Sequence, residues 1–183
     1  LDRAGVFAAA VLGLTVGALG HWTWLLILLG FLLSAHKATK WRFSEKLERG
    51  MSESNDGHRS YDNVIANGGL PGIVAIFAFI TEEWETGLWM FSAAVAVAAS
   101  DTFASEIGCL DDNVRMITTF KRCEAGINGG FSPSGQLAAL AGSGLIGVLS
   151  FPAWYFTTGM TDLQIGLTLS AAVVVIGWLG CQM

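Results

Sequence analysis

The chain has 183 residues, 52% of them hydrophobic and only 14% charged, with a formal net charge of −5; soluble domains carry about 25% charged residues. A mean hydropathy of +0.54 is more apolar surface than one water-soluble core of this size can hide, which excludes an ordinary soluble domain. The 7 Trp and 23 Gly suit interfacial anchoring and close helix packing in lipid.

A membrane-spanning helix needs about 20 apolar residues. Six stretches qualify, at roughly 4–20, 21–36, 64–81, 87–107, 134–156 and 163–183. The sequence therefore predicts an all-α integral membrane protein, a single polytopic domain of about six transmembrane helices. The first two stretches are joined only by Gly20 and His21, which predicts a tight helical hairpin. The opening run after Arg3 has the look of a signal peptide, but a second apolar run follows at once, so it is read as the first span. Because the chain opens on Leu1 rather than Met, residues of the native N-terminus are expected to precede it.

Orientation follows from the basic residues, which concentrate on the cytoplasmic side of membrane proteins. With a cytoplasmic N-terminus, the inner segments are the N-terminus and the loops 37–63 and 108–133. They hold Arg3; Lys37, Lys40, Arg42, Lys46, Arg49 and Arg59; and Arg115, Lys121 and Arg122. These are all 10 Lys and Arg of the chain. The outer connections hold none.

Two short sequences echo one another. IANGGLPG (65–72) and INGGFSPSG (127–135) each put Asn-Gly-Gly at the inner mouth of a span that runs outward. This suggests two related helical hairpins. Glycines that reach φ > 0 let successive backbone N–H groups converge on one anion, and the following helix N-terminus adds its dipole. Asn67 and Asn128 would cap those helices or donate to phosphate oxygens. The same sequences also serve as ordinary loop-to-helix junctions.

The fourth span ends in SDTFASEIG, with Asp101 and Glu106 near the end of an apolar helix. Ionisable groups in such places usually face a polar cavity and have a partner. On an ideal helix the two lie about 140° apart, so one ion reaches both only where the helix bends or breaks. Carboxylates, Gly-rich backbone and the nearby Lys46, Arg59 and Lys121 together describe a site for phosphates and a divalent metal at the inner interface. Phosphoryl and nucleotidyl transfer rest mainly on such positioning and electrostatics. No GxxxxGK[ST] occurs, which excludes a P-loop enzyme. Cys109, Cys123 and Cys181 show no zinc-like spacing, no catalytic His stands out among His21, His36 and His58, and no nucleic-acid-binding signature is present.

KATKWRFSEK, GHRSYDNVIANGG (57–69), SDTFASEIG (100–108) and the stretch from MITTF to NGGFSPSGQLAALAG (116–142) resemble one integral-membrane family. It was long catalogued as a domain of unknown function and includes the plastid phytyl-phosphate kinase of tocopherol synthesis. The family is distantly similar to CTP-using phytol kinase, dolichol kinase and CDP-diacylglycerol synthase. The resemblance implies a prenyl-phosphate kinase, a phosphotransferase that uses CTP or another nucleotide. It would convert a prenyl monophosphate such as phytyl or geranylgeranyl phosphate to the diphosphate. It implies Mg²⁺ held by Asp101 and Glu106, with Lys121 as a third catalytic residue. Lys46 and Arg59 would contact phosphate oxygens. Asn63, Asn67, Gly68, Gly69, Asn128, Gly129 and Gly130 would shape the pocket, and Ser105, Thr119 and Ser132 in the same motifs would join the nucleotide-binding set. Family members continue with an Asp-Ser-Leu-Leu-Gly-like segment where this chain stops at Met183, so a further C-terminal segment is expected. Cytidylyl transfer to a lipid phosphate and non-catalytic transport of a lipid or small molecule are the alternative functions. Prenyl chain length is not legible, and glycine-rich faces leave open packing within a protomer or in a homo-oligomer.

Overall fold

The computed structural model describes residues 2–52, 61–159 and 162–182. Seven helices make up most of it. They are α1 (Arg3–Leu19), α2 (Trp22–Lys40), the short α3 (Phe43–Glu48), α4 (Tyr61–Thr81), α5 (Trp84–Gly108), α6 (Pro133–Thr158) and α7 (Leu163–Gly180). Between α5 and α6 lies a small antiparallel ribbon, β1 (Arg115–Met116) with β2 (Gly130–Phe131), in which Arg115 faces Phe131 and Met116 faces Gly130. Helices α2, α4, α5, α6 and α7 have the length and hydropathy to cross a membrane. Apolar α1 has 17 residues, at the short end of the about 17–25 needed. The protein is an all-α integral membrane protein, as its composition requires.

The ends of the helices are set locally. Asp2 caps α1 by accepting from Gly5 N at 2.6 Å, and Ser132 caps α6 by accepting from Gly135 N at 3.1 Å, with Pro133 in the first turn. Asp162 caps α7 through Gln164 N at 2.9 Å. These side chains satisfy N–H groups that the first turn of a helix leaves unpaired. At the far end of α6, Gly159 takes a left-handed φ of 75° and closes the helix on Tyr155 O.

The central contact is the antiparallel pair α5–α6, built from small residues. Ser100 Oγ donates to Ala139 O at 2.8 Å, and a Cβ placed on Gly142 would stand 2.6 Å from Ala99 O. In lipid, where no hydrophobic force separates helix from solvent, such close backbone approach is what holds helices together. Helix α7 packs beside α5 through Gly177, whose Cβ position lies 2.7 Å from that of Ala96. Helix α1 packs on α4 through Leu12 and Gly68. Phe7 and Ile80, each 73% exposed, and Val148, 71% exposed, turn outward; that is the polarity lipid demands.

Two sets of contacts align the helix ends. Lys46 meets Glu106 and Arg49 meets Asp112 at one end. At the other, His21 meets Thr157, Trp24 meets Trp84 and Trp154 donates to Glu85. The described segments bearing Lys and Arg thus share one face, the basic face.

Two expectations change. Asn67-Gly68-Gly69 is not a loop at a helix mouth: α4 (Tyr61–Thr81) carries the three residues inside the helix, about two turns beyond Tyr61. Gly68 serves packing there, since a Cβ on it would collide with the Leu12 side chain. Asn128-Gly129-Gly130 is a true turn, with Gly129 at φ 81°. Although α4–α5 and α6–α7 form successive hairpins, the two echoing sequences hold different conformations in them.

Substituting Gly142 by Val is expected to destabilise the fold by about 1–3 kcal/mol, the usual cost of overpacking. Gly144→Ala, where no atom lies within 4 Å, is expected to be neutral or stabilising. Thermal unfolding in detergent measures both.

Candidate functional site

At the basic face, α2 ends and the chain reverses through Trp41 and Arg42, the latter left-handed at φ 49°. That reversal folds α3 back under α2 and drives Lys46 into the interior, where it is 1% exposed. Lys46 Nζ donates to Ala38 O at 2.8 Å, to Thr39 O at 3.3 Å and to Glu106 Oε2 at 2.8 Å. An ammonium has three N–H donors, and all three are spent. The other Glu106 oxygen accepts from the Thr39 hydroxyl at 2.5 Å. The expected role of Lys46 as a phosphate contact therefore gives way to a different one. It cancels the last-turn carbonyls of α2 and the Glu106 charge, and so joins α2, α3 and α5.

Asp101 and Glu106 do not converge. Helix α5 runs unbroken through both, so their side chains leave it on different sides. Glu106 turns to α2 and α3, whereas exposed Asp101 turns to the end of α7, where its charge bears on the Cys181 thiol. The pair as it stands does not fit a single shared Mg²⁺. Among the described residues, no three His, Cys, Asp or Glu side chains gather to hold a metal.

Beside this cluster opens an apolar groove of about 140 Å³ between α1, α2 and α4. Its walls include Leu12, Gly13, Leu25, Leu28, Phe31 and Gly68. Its basic-face end is polar, lined by His36, Thr39, Asn63 and Asn67. Thr39 belongs to both groove and cluster, which puts Glu106 one hydrogen bond from the groove. Thr39 and His36 had no distinguishing signal in the sequence; only the approach of α2 to α5 gives Thr39 its partner.

The remaining expected residues are spread over the same face. Ser105 is exposed and its hydroxyl returns to Thr102 O at 3.1 Å. Lys121, Thr119, Asn128, Gly129 and Gly130 are exposed on the ribbon and its turns. Ser132, 3% exposed, is committed to capping α6. Gly69 lies inside α4. Arg59 lies outside the described residues.

One acid unremarked in the sequence is fixed at the start of α6. Asp111 accepts from Ser134 Oγ at 2.6 Å and Ser134 N at 3.2 Å, and from Asn113 N at 2.9 Å. The Ser134 hydroxyl above all, then the Asn113 N–H, holds its carboxyl below the usual carboxylate range.

With this geometry in hand, the whole chain, residues 1–183, matches the family described as Integral membrane protein DUF92. It belongs to the DUF92 family. Within the curated proteins it is 33% identical over 152 residues to the uncharacterized membrane protein MJ0933 of Methanocaldococcus jannaschii, covering 82% of this chain and 62% of that one. It is 30% identical over 136 residues to Protein PGR of Arabidopsis thaliana, covering 67% and 47% of the two chains. With the chloroplastic Protein VTE6 of Arabidopsis thaliana it shares 32% identity over 150 residues, covering 78% and 44%. The chain thus spans from 44% to 62% of the length of these relatives. No solved structure matches it.

For this DUF92 protein, Lys46→Met is expected to cost about 3–5 kcal/mol, because it strands a largely buried carboxylate. Adding Glu106→Leu should restore most of the loss, and a double-mutant cycle on unfolding midpoints measures the coupling. The depressed Asp111 titration contributes stability that is present above the ordinary carboxylate range and lost as pH falls through it toward the native value, near pH 4 and below. Asp111→Asn should remove that part of the acid sensitivity, read from unfolding midpoints between neutral and acidic pH.

Proposed function

We propose that this protein is a membrane prenyl-phosphate kinase, with CTP or another nucleoside triphosphate as donor and the basic face toward the cytoplasm. One observation carries the reading: an apolar groove between helices ends in polar groups, one of which, Thr39, is hydrogen-bonded to a buried Lys–Glu pair. A prenyl monophosphate has the same polarity, a long apolar tail behind a dianionic head. The tail would lie between α1, α2 and α4, and the head would meet His36, Thr39, Asn63 and Asn67. The resemblance to the family of the plastid phytyl-phosphate kinase supports the same substrate class. Gathering of the described basic residues on one face supports the orientation.

Transfer requires little covalent help from the protein. A non-bridging oxygen of the acceptor, already ionised at neutral pH, attacks the γ-phosphorus of the nucleotide. The bond from that phosphorus to the bridging oxygen breaks, and the nucleoside diphosphate leaves with the bond's electron pair. Catalysis then consists of orientation and charge neutralisation. Lys121, on the ribbon beside Arg122, would supply positive charge to the donor phosphates, and the exposed turn Asn128-Gly129-Gly130 would offer backbone N–H groups to them. Mg²⁺ is usually held by substrate phosphates with one or two carboxylates, so Glu106 and Asp101 would each serve separately.

The test is incubation of purified protein with Mg²⁺, each nucleoside triphosphate and a panel of prenyl monophosphates, with products identified by mass. A prenyl diphosphate with a nucleoside diphosphate is the expected result. A CDP-lipid with released diphosphate would mean cytidylyl transfer instead, and no product with any acceptor would return the protein to the non-catalytic reading. Glu106→Gln and Asp101→Asn are each expected to lower turnover per folded molecule by roughly 100-fold, the scale of one lost electrostatic group. Their effects should multiply in the double variant, because the groups act at separate points. A double variant no worse than either single one would place both on one ion after all.

A further inference from the structure

A second cavity, of about 570 Å³, opens on the basic face beyond the end of α2. Small-molecule sites occupy about 300–1,000 Å³. Trp41 and Arg42 reach it from the reversal after α2, Asp111, Asp112 and Asn113 from the turn after α5, and Arg122 from the segment between the strands. Its apolar part is Ile107 of α5 and the buried Leu110. Three connections far apart in the chain thus meet at one opening. Arg49 of the α3 end draws two of them together, donating to Leu110 O at 3.3 Å and to Asp112 Oδ1 at 2.9 Å.

The charges around this cavity are of both signs. Arg42 pairs with Glu45, and its guanidinium lies 5.4 Å from the Trp41 ring centroid. Exposed Arg122 has no carboxylate partner among the described residues. Asp111 is held in place by Ser134 Oγ at 2.6 Å and Asn113 N at 2.9 Å. A bare anion entering here meets two carboxylates, and a bare cation meets two guanidinium groups. A polyphosphate that carries a divalent cation satisfies both signs, because Mg²⁺ is commonly held by one or two carboxylates plus substrate phosphates. The exposed Trp41 ring adds a face on which a base can stack, and such stacking accepts any base. A phospholipid headgroup brings no such ring, and its acyl chains find only Ile107 and Leu110 among these polar walls.

The cavity is also placed beside the groove without being part of it. Glu106, which bonds Thr39 at the groove mouth, and Ile107, on the cavity wall, are successive residues of α5. Their side chains leave the helix about 100° apart. The end of α5 therefore keeps the two openings adjacent and separate.

Building on the kinase reading, we propose that this cavity is the donor site. It takes a nucleoside triphosphate together with its divalent cation, the base against Trp41, the phosphates toward Arg122 and the cation at Asp111. Donor and acceptor then approach the end of α5 from two sides, with Glu106 between them. Trp41 contributes affinity and no choice among bases.

The experiment measures nucleoside triphosphate binding to the full chain in zwitterionic lipid nanodiscs, with Mg²⁺ and with EDTA, before any acceptor is added. Arg122→Gln should weaken binding roughly tenfold in both conditions, the scale of one lost charge-assisted hydrogen bond. Asp111→Asn should weaken it only when Mg²⁺ is present. Trp41→Ala should weaken every nucleoside triphosphate by a similar factor, and Trp41→Phe should restore most of the loss. In turnover, Arg122→Gln and Trp41→Ala should raise the KM for nucleotide and leave the KM for prenyl monophosphate unchanged, a split that a general loss of folding does not produce. Nucleotide binding and KM equal to wild type in both variants would overturn the donor site and leave the kinase standing. Binding that these variants weaken, with no turnover on any prenyl monophosphate, would support the site and overturn the kinase. A wild type that binds no nucleotide would overturn both.

Discussion

Where Ala99 and Gly142 meet, the backbones of α5 and α6 approach so closely that there is no room for a Cβ on Gly142, and the rest of the molecule is arranged around that contact. Lipid offers no hydrophobic drive for helix association, so the favourable terms are dispersion and the occasional hydrogen bond. Both need small residues at the seam, and Ser100 bonding to Ala139 O supplies the second. Once the pair is locked, the end of α5 is fixed at the basic face with Glu106 turned toward α2 and Asp101 toward α7. The start of α6 is fixed beside it, with Asp111 accepting from the N–H and hydroxyl of Ser134.

A second constraint acts at that end. Helix α2 finishes with carbonyls that have no partner within the helix, and Glu106 brings a largely buried negative charge. Lys46 answers both at once. Its ammonium sits where two α2 carbonyls and the carboxylate converge, and the left-handed Arg42 is what lets the chain turn back to place it. A buried ion pair is seldom a source of net stability. Its value here is geometric, since it holds Thr39 and Glu106 in register beside the groove. The groove in turn exists because α1 leans on α4, through Leu12 and Gly68, more than it does on α2.

Much of this architecture was legible beforehand. The helices begin and end within a few residues of the apolar runs, because bilayer thickness sets their length, and Asp162 and Ser132 mark two starts through their capping chemistry. The common face of the basic residues was likewise predictable from an even number of crossings. Asn67-Gly68-Gly69 misled because glycine pairs read equally well as a turn or as a close helix contact; the presence of Leu12 decides between them. Lys46 misled for a similar reason. A lysine in a basic loop is ordinarily solvated, and nothing local reveals that its donors will be consumed by α2 and Glu106.

The sequence by itself determined that the chain lives in a membrane, where its helices lie, and which face gathers its basic residues, because hydropathy, helix length and the placement of Lys and Arg are properties of short segments. Tertiary structure alone decided that Asp101 and Glu106 part company, that Thr39 joins Glu106, and that a groove opens at Gly13. Those facts depend on which helix neighbours which and at what level. That is set by side-chain packing between segments far apart in the chain, which no local pattern records.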